Sequence, residues 1–148
     1  MKKRRISAML MTGLFLAALA GCGGEKTYAD GTYSGQSEVY QSEDGSEEGN
    51  GYGVVTITIK DNVVTDCVFE MYMEDGTLKG EDYGKKNGEI ANEGFYKMAQ
   101  NAVLACAEYA SMLVANGGTE GIDAISGATI NYHEFLEAAD QALAEAEQ

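Results

Sequence analysis

Proline is absent from this chain, so no stiff proline-rich stalk separates any part of it from the rest. Histidine occurs once, at His133, and only three cysteines are present. Cys67 and Cys106 form no CxxC pair and lie far in sequence from His133, which argues against a zinc or thiol-redox site. Both read as buried small apolar residues, with a disulfide between them as the competing account. No nucleophile with a neighbouring base and no paired catalytic carboxylates are visible, so an enzyme with its own substrate pocket is not indicated. Basic residues are also scarce, 10 Lys and Arg against 24 Asp and Glu, for a formal charge of −14. That field repels nucleic acid and anionic headgroups.

Four of the basic residues sit together at Lys2, Lys3, Arg4 and Arg5, ahead of an apolar run from Ile6 to Ala20 and the string LAGC ending at Cys22. This is the three-part layout of a secretory signal. The apolar run is shorter than the roughly 20 residues of a membrane-spanning helix, so an uncleaved anchor is the weaker account. LAGC resembles a bacterial lipobox, which implies a signal peptide over 1–21, cleavage before Cys22, and diacylglycerol on the Cys22 sulfur. Several acyl chains on one residue give lasting attachment, each buried methylene contributing about 0.8 kcal/mol. The expected location is the extracytoplasmic face of the cell membrane, with 22–29 as a short tether and 30–148 as one domain.

The stretch from Asp30 to Val39 reads as a turn entering a short strand. QSEDGSEEGNGYG, Gln41 to Gly53, is acidic, glycine-rich and aperiodic, the signature of a mobile loop. It is neither a calcium loop, since the position that needs a bidentate Glu holds Val55, nor a dinucleotide-binding turn, since GNGYG precedes a strand. In VVTITI, Val55, Ile57 and Ile59 alternate with threonines. After a tight turn at Lys60-Asp61-Asn62, Val63, Cys67, Phe69, Met71 and Met73 should share one face of a returning antiparallel strand. Asp75-Gly76 opens a polar stretch in which Lys79, Asp82, Tyr83, Gly84 and Lys85 read as a solvated loop in preference to a rim of a site.

Helical spacing predicts one helix from about Asn92 to Ala115, ended by Asn116-Gly117-Gly118, and a second from about Tyr132 to Ala146. Asn131 would cap the second, with Glu134 completing a variant capping box, and Tyr132 and His133 as ordinary first-turn residues. Both apolar stripes need a sheet to cover them. The expected fold class is α+β, a small antiparallel sheet with two helices packed on one face.

Between the helices, DAISGAT, Asp123 to Thr129, resembles the flavinylation motif Dxx(S/T)GA(S/T) of the FMN-binding domain family. That domain is found in subunits of sodium-pumping and Rnf-type oxidoreductases and in the lipoprotein branch of extracellular electron transfer. AQNAV and EYASML in the first helix and YHEFLEAADQAL in the second carry the likeness over most of the domain. The resemblance implies that a magnesium-dependent transferase of the ApbE type moves FMN from FAD onto the Thr129 hydroxyl as a phosphoester. Asp123, Ser126, Gly127 and Ala128 then fill the other fixed cofactor-binding positions. Asn131 departs from relatives that carry a second Thr or Ser there.

The implied function is a membrane-anchored electron carrier, taking electrons from a membrane dehydrogenase and passing them to an extracytoplasmic acceptor. Non-covalent capture of a flavin or other small ligand is the alternative. A phosphate on Thr129 would lie two residues before the expected cap, where unpaired N–H groups and the helix dipole attract an anion. Gly127 and Ala128 would leave the hydroxyl uncrowded. Asp123 would either hold the loop or serve recognition by the transferase. A strongly acidic surround would lower the flavin's potential.

Overall fold

A computed structural model describes residues 25–45 and 49–148; the expected signal peptide, Cys22 and the start of the tether lie outside them. Three strands, β1 (Gly31–Gln36), β2 (Tyr52–Lys60) and β3 (Val63–Tyr72), are followed by two helices, α1 (Glu93–Asn116) and α2 (Thr129–Ala146). The strands form one antiparallel meander in the order β1-β2-β3. One face is covered by α2 over β1 and β2 and by α1 over β3, which is the expected α+β class. No helix among the described residues is long and apolar enough to cross a membrane.

The hairpin between β2 and β3 turns at Asp61 and Asn62, whose φ values of 52° and 63° give the left-handed pair that matches strand twist. Asn62 Oδ1 also accepts from Tyr28 N–H at 2.7 Å, fastening the entering chain to the turn. Val55, Ile57 and Ile59 are buried, as the alternation predicts. On β3 the phase changes: Thr58 faces Asp66 but Ile59 faces Val64, so Thr65 is an extra residue in the ladder. Its hydroxyl donates to the Thr58 carbonyl at 3.2 Å. This bulge moves the apolar set by one position, so that Val64 is buried and Val63, expected inside, is 56% exposed.

Helix α1 starts at the Asn92 cap, whose Oδ1 accepts from Phe95 N–H at 3.0 Å, and stops at Gly117 in the left-handed conformation. Tyr109, Phe135 and Phe69 make the centre of the core, with Tyr109 and Phe135 stacked at 5.4 Å and Phe69 edge-on to Phe135 at 5.1 Å. Burying an aromatic of this size contributes about 1.5–3 kcal/mol. Ala138, Ala139, Ala142 and Ala146 give α2 a flat inner face, and a Cβ on Gly35 of β1 would stand 2.0 Å from the Ala138 carbonyl oxygen. At its far end α2 meets the entering chain: Ala29 N–H donates to Ala146 O, and Gln148 N–H to Thr27 O, both at 2.9 Å. Residues 27–29 of the expected tether are therefore docked on the domain. Cys67 is half-buried and Cys106 buried, and both thiols are free.

Candidate functional site

Helix α2 begins at Thr129, two residues earlier than the expected cap, with Ala128 at the N-cap position and no side chain closing the end. Asn131 is drawn away from capping because it lies inside the first turn, facing α1. Its Nδ2 donates to the Ala102 carbonyl at 2.8 Å and lies 3.4 Å from Cys106 Sγ. Glu134 makes no capping box either; it points inward and is buried. The first backbone bond of the helix runs from Tyr132 N–H to Ala128 O, so the amides of Thr129, Ile130 and Asn131 precede it. A helix end left without a side-chain cap can receive an outside anion.

The loop leading to this end is held mainly by one hydroxyl. Tyr109, fully buried on α1, accepts from Ile125 N–H at 2.8 Å and donates to the Ala128 carbonyl at 3.1 Å. Tyr132 adds a bond from its hydroxyl to Ile122 O at 3.0 Å, and Asn101 Nδ2 donates to Ser126 O at 3.4 Å. Gly127 takes a φ of +80°, which favours glycine, and a Cβ there would meet Asn101 at 3.1 Å. The chain thus arrives at α2 with Ala128 buried and the Thr129 side chain exposed.

Thr129 opens onto a cleft of about 420 Å³, within the size range of small-ligand and cofactor sites. Gly127, Ala128 and Thr129 line it on one side. Met71 of β3, Phe95 and Met98 of α1, and Tyr83 supply apolar and aromatic surface opposite. Asp123 and Ser126 are exposed and outside its walls. Of the stretch expected to be solvated, Asp82 and Lys85 do pair on the surface at 2.7 Å, but Lys79 and Tyr83 line the cleft. Gln100 Nε2 holds that segment in place through the carbonyls of Gly80 at 3.1 Å and Tyr83 at 2.9 Å.

Lys79 is 5% exposed; its ammonium donates to Gly49 O at 2.9 Å and stands 5.1 Å from the centre of the Tyr83 ring. Burial lowers its pKa, against the pull of Glu134 and Cys106. Burial pushes the Glu134 carboxyl up to about 7, with the Lys79 charge opposing and Glu137 adding. For Lys79 and Tyr83 the less favoured of the two readings, a rim of the site, is the one that the structure shows, whereas Glu134 reads from the sequence only as part of a capping box. Glu134 did carry a signal, since it precedes Ala138 and Ala142 by one and two helical repeats and so falls on the inner stripe.

The cleft combines a phosphate-accepting helix end, a reachable hydroxyl, flat apolar walls and a buried cation, which suits a planar aromatic ligand bearing phosphate. Curated proteins give no match to the chain. The crystal structure of the CPE2226 protein from Clostridium perfringens has a similar fold, with a TM-score of 0.58 and 19% identity over 80% of this chain and 88% of that one. The family model described as the FMN-binding domain matches residues 48–144, from the approach to β2 through most of α2 and including the DAISGAT loop. With more than half of its length matched, the chain belongs to the FMN-binding domain family and is a flavin-binding protein.

Proposed function

We propose that this protein is a lipid-anchored flavoprotein electron carrier that holds FMN covalently through a phosphoester on Thr129. The observation that carries the reading is the exposed residue Thr129 at the uncapped start of α2, in the lining of the cleft. In the attachment step the Thr129 oxygen attacks the FMN phosphorus of FAD, the bond between the two phosphates breaks, AMP leaves, and the hydroxyl proton passes to solvent. A transferase of the ApbE type with magnesium would catalyse it, and the exposed position of Asp123 and Ser126 supports their being read by that enzyme.

Once bound, the isoalloxazine supplies one- and two-electron chemistry. The chain's own residues do the rest. The first-turn amides of α2 and its dipole would hold the phosphate, Met71, Phe95 and Tyr83 would offer the ring an apolar seat, and Lys79 would contribute a positive charge from the cleft wall. The ester keeps the ring at high local concentration near that seat, so a dilute extracytoplasmic setting does not strip it. The expected electron donor is a quinone- or NADH-linked membrane dehydrogenase, with the acceptor outside the cytoplasm and the lipid on Cys22 securing the protein to the membrane.

Mass spectrometry of the mature protein, co-produced with a flavin transferase, should give a mass increased by one FMN less water and a lipidated Cys22 as residue one. Thr129→Ala should abolish the fluorescent band on a denaturing gel. A band of undiminished intensity in that variant refutes attachment at Thr129. Flavin released on mild denaturation of the wild type would favour non-covalent capture in the same cleft.

A further inference from the structure

Behind the cleft, α2 sends a carboxylate into the protein interior. Glu134 is 4% exposed, and neither carboxylate oxygen has a hydrogen-bond partner among the described residues. Lys79 approaches from the segment after β3, yet the ion pairs among the described residues are Lys26 with Glu147 and Lys85 with Asp82. Glu134 and Lys79 therefore sense each other through the interior without a direct salt bridge.

Space for both comes from the GNGYG segment. A Cβ on Gly51 would stand 3.0 Å from Lys79 Nζ, and one on Gly53 would stand 3.2 Å from Glu134 Cβ and 2.7 Å from Phe69 Cε2. Removing a carboxylate from water without pairing it is costly, and an apolar residue of similar size would pack there at no such cost. The placement favours a role for the charge itself.

The ionisable groups around Glu134 are few. Lys79 faces it from the segment after β3, Glu137 lies on the same helix, and Cys106 acts from α1. Against it, β2 and β3 bring Gly53 and Phe69, which do not ionise.

We propose that Glu134 is a positioning residue that sets the net charge Lys79 presents to the flavin cleft. With Glu134 protonated, the Lys79 ammonium is an uncompensated cation at the cleft wall. With Glu134 ionised, the two make a neutral pair. Negative charge added to the cleft by two-electron reduction, from a quinol or nicotinamide donor, draws a proton from bulk water onto a Glu134 oxygen and restores the balance. The claim rests on the cleft being the flavin site, and its two parts are separable.

The first part is tested on the full chain without flavin, labelled with ¹³C at glutamate carboxyls. The Glu134 resonance, assigned by its loss in Glu134→Gln, should titrate close to neutrality, and Lys79→Met should shift its midpoint upward because the opposing cation is gone. Titration in the ordinary glutamate range, or no shift in Lys79→Met, overturns the pairing.

The second part is read on the flavinylated protein by dithionite titration of the midpoint potential across pH 5–9. Above the Glu134 midpoint, the wild-type slope should exceed that of Glu134→Gln by about 30 mV per pH unit, a tenfold change in the two-electron equilibrium. Glu134→Asp should restore the steeper slope, which a purely structural role would not require. Equal slopes in the wild type and Glu134→Gln overturn the coupling. Absence of flavin from the wild type overturns the cofactor reading and the coupling with it, while the carboxyl titration still decides the pairing.

Discussion

Replacing Tyr109 with Phe removes a single oxygen and should loosen the loop that delivers Thr129. The ring is fully buried and stacked on Phe135 at 5.4 Å, so the phenyl group keeps the same packing. The lost hydroxyl serves two backbone groups, Ile125 N–H at 2.8 Å and the Ala128 carbonyl at 3.1 Å. Ala128 O retains the bond from Tyr132 N–H at 3.0 Å, so it is only partly orphaned. Ile125 N–H, on a half-buried residue, is left without that partner, and losing such a bond costs about 1 kcal/mol. Tyr109→Phe should therefore lower the free energy of unfolding by about 1 kcal/mol in urea titration with an unchanged slope. Hydrogen exchange at Ile125 should accelerate well beyond any change at core amides of β2. In the flavinylation assay the variant should accept flavin more slowly, because the Thr129 hydroxyl is no longer held at one place. Unchanged stability together with unchanged Ile125 exchange would refute the view that this hydroxyl secures the loop.

Gly35→Ala should destabilise by about 2 kcal/mol or more, since its Cβ would stand 2.0 Å from Ala138 O and 2.8 Å from Ala142 N and backbone would have to move; thermal melts check this. Burial pushes the thiols of Cys67 up to about 12 and Cys106 up to about 11, so iodoacetamide should label the folded protein slowly at pH 8 and rapidly only after unfolding. Glu134→Gln should flatten the dependence of stability on pH. A carboxyl raised from 4.5 to about 7 keeps its proton in the folded state while the unfolded chain loses it. The wild type should accordingly lose about 3 kcal/mol as pH rises from 4.5 to 7, from 1.36 kcal/mol per unit, with no such burden below that window. Equilibrium urea denaturation of both proteins at pH 4.5 and 8 measures it, and parallel profiles would refute an ionisable buried Glu134.

Elements whose apolar residues repeat with a clear period were legible in the sequence. The threonine and valine alternation of β2 placed Val55, Ile57 and Ile59 inside, and steps of three and four placed Tyr109 and Leu113 of α1 inside. A one-residue bulge leaves no mark on composition, so Val63 was expected where Val64 lies. The start of α2 was misplaced for a related reason. Asn131 has the chemistry of a cap, but a bond to Ala102 across the helix interface uses its amide, and only tertiary structure shows that competitor. The cleft was half legible: the loop from Asp123 to Thr129 announces itself as a string, whereas its opposite wall does not. Lys79 and Tyr83 sit in an aperiodic polar stretch and become walls only because Gln100 ties that stretch to α1.

The two ends of α2 face different business. Its first residue borders the cleft, and its last turn is stitched to the residues by which the chain enters the domain. Eighteen residues at about 1.5 Å apiece separate these poles by about 27 Å. With the proposed lipid on Cys22, the redox group would be carried at the tip of the domain that lies farthest along α2 from where the chain enters. A donor buried among the lipids could reach that tip only by projecting from the membrane or by the domain tipping over onto it. An acceptor diffusing outside would meet it directly. The helix would thereby set about 27 Å between the proposed anchor side and the proposed flavin end.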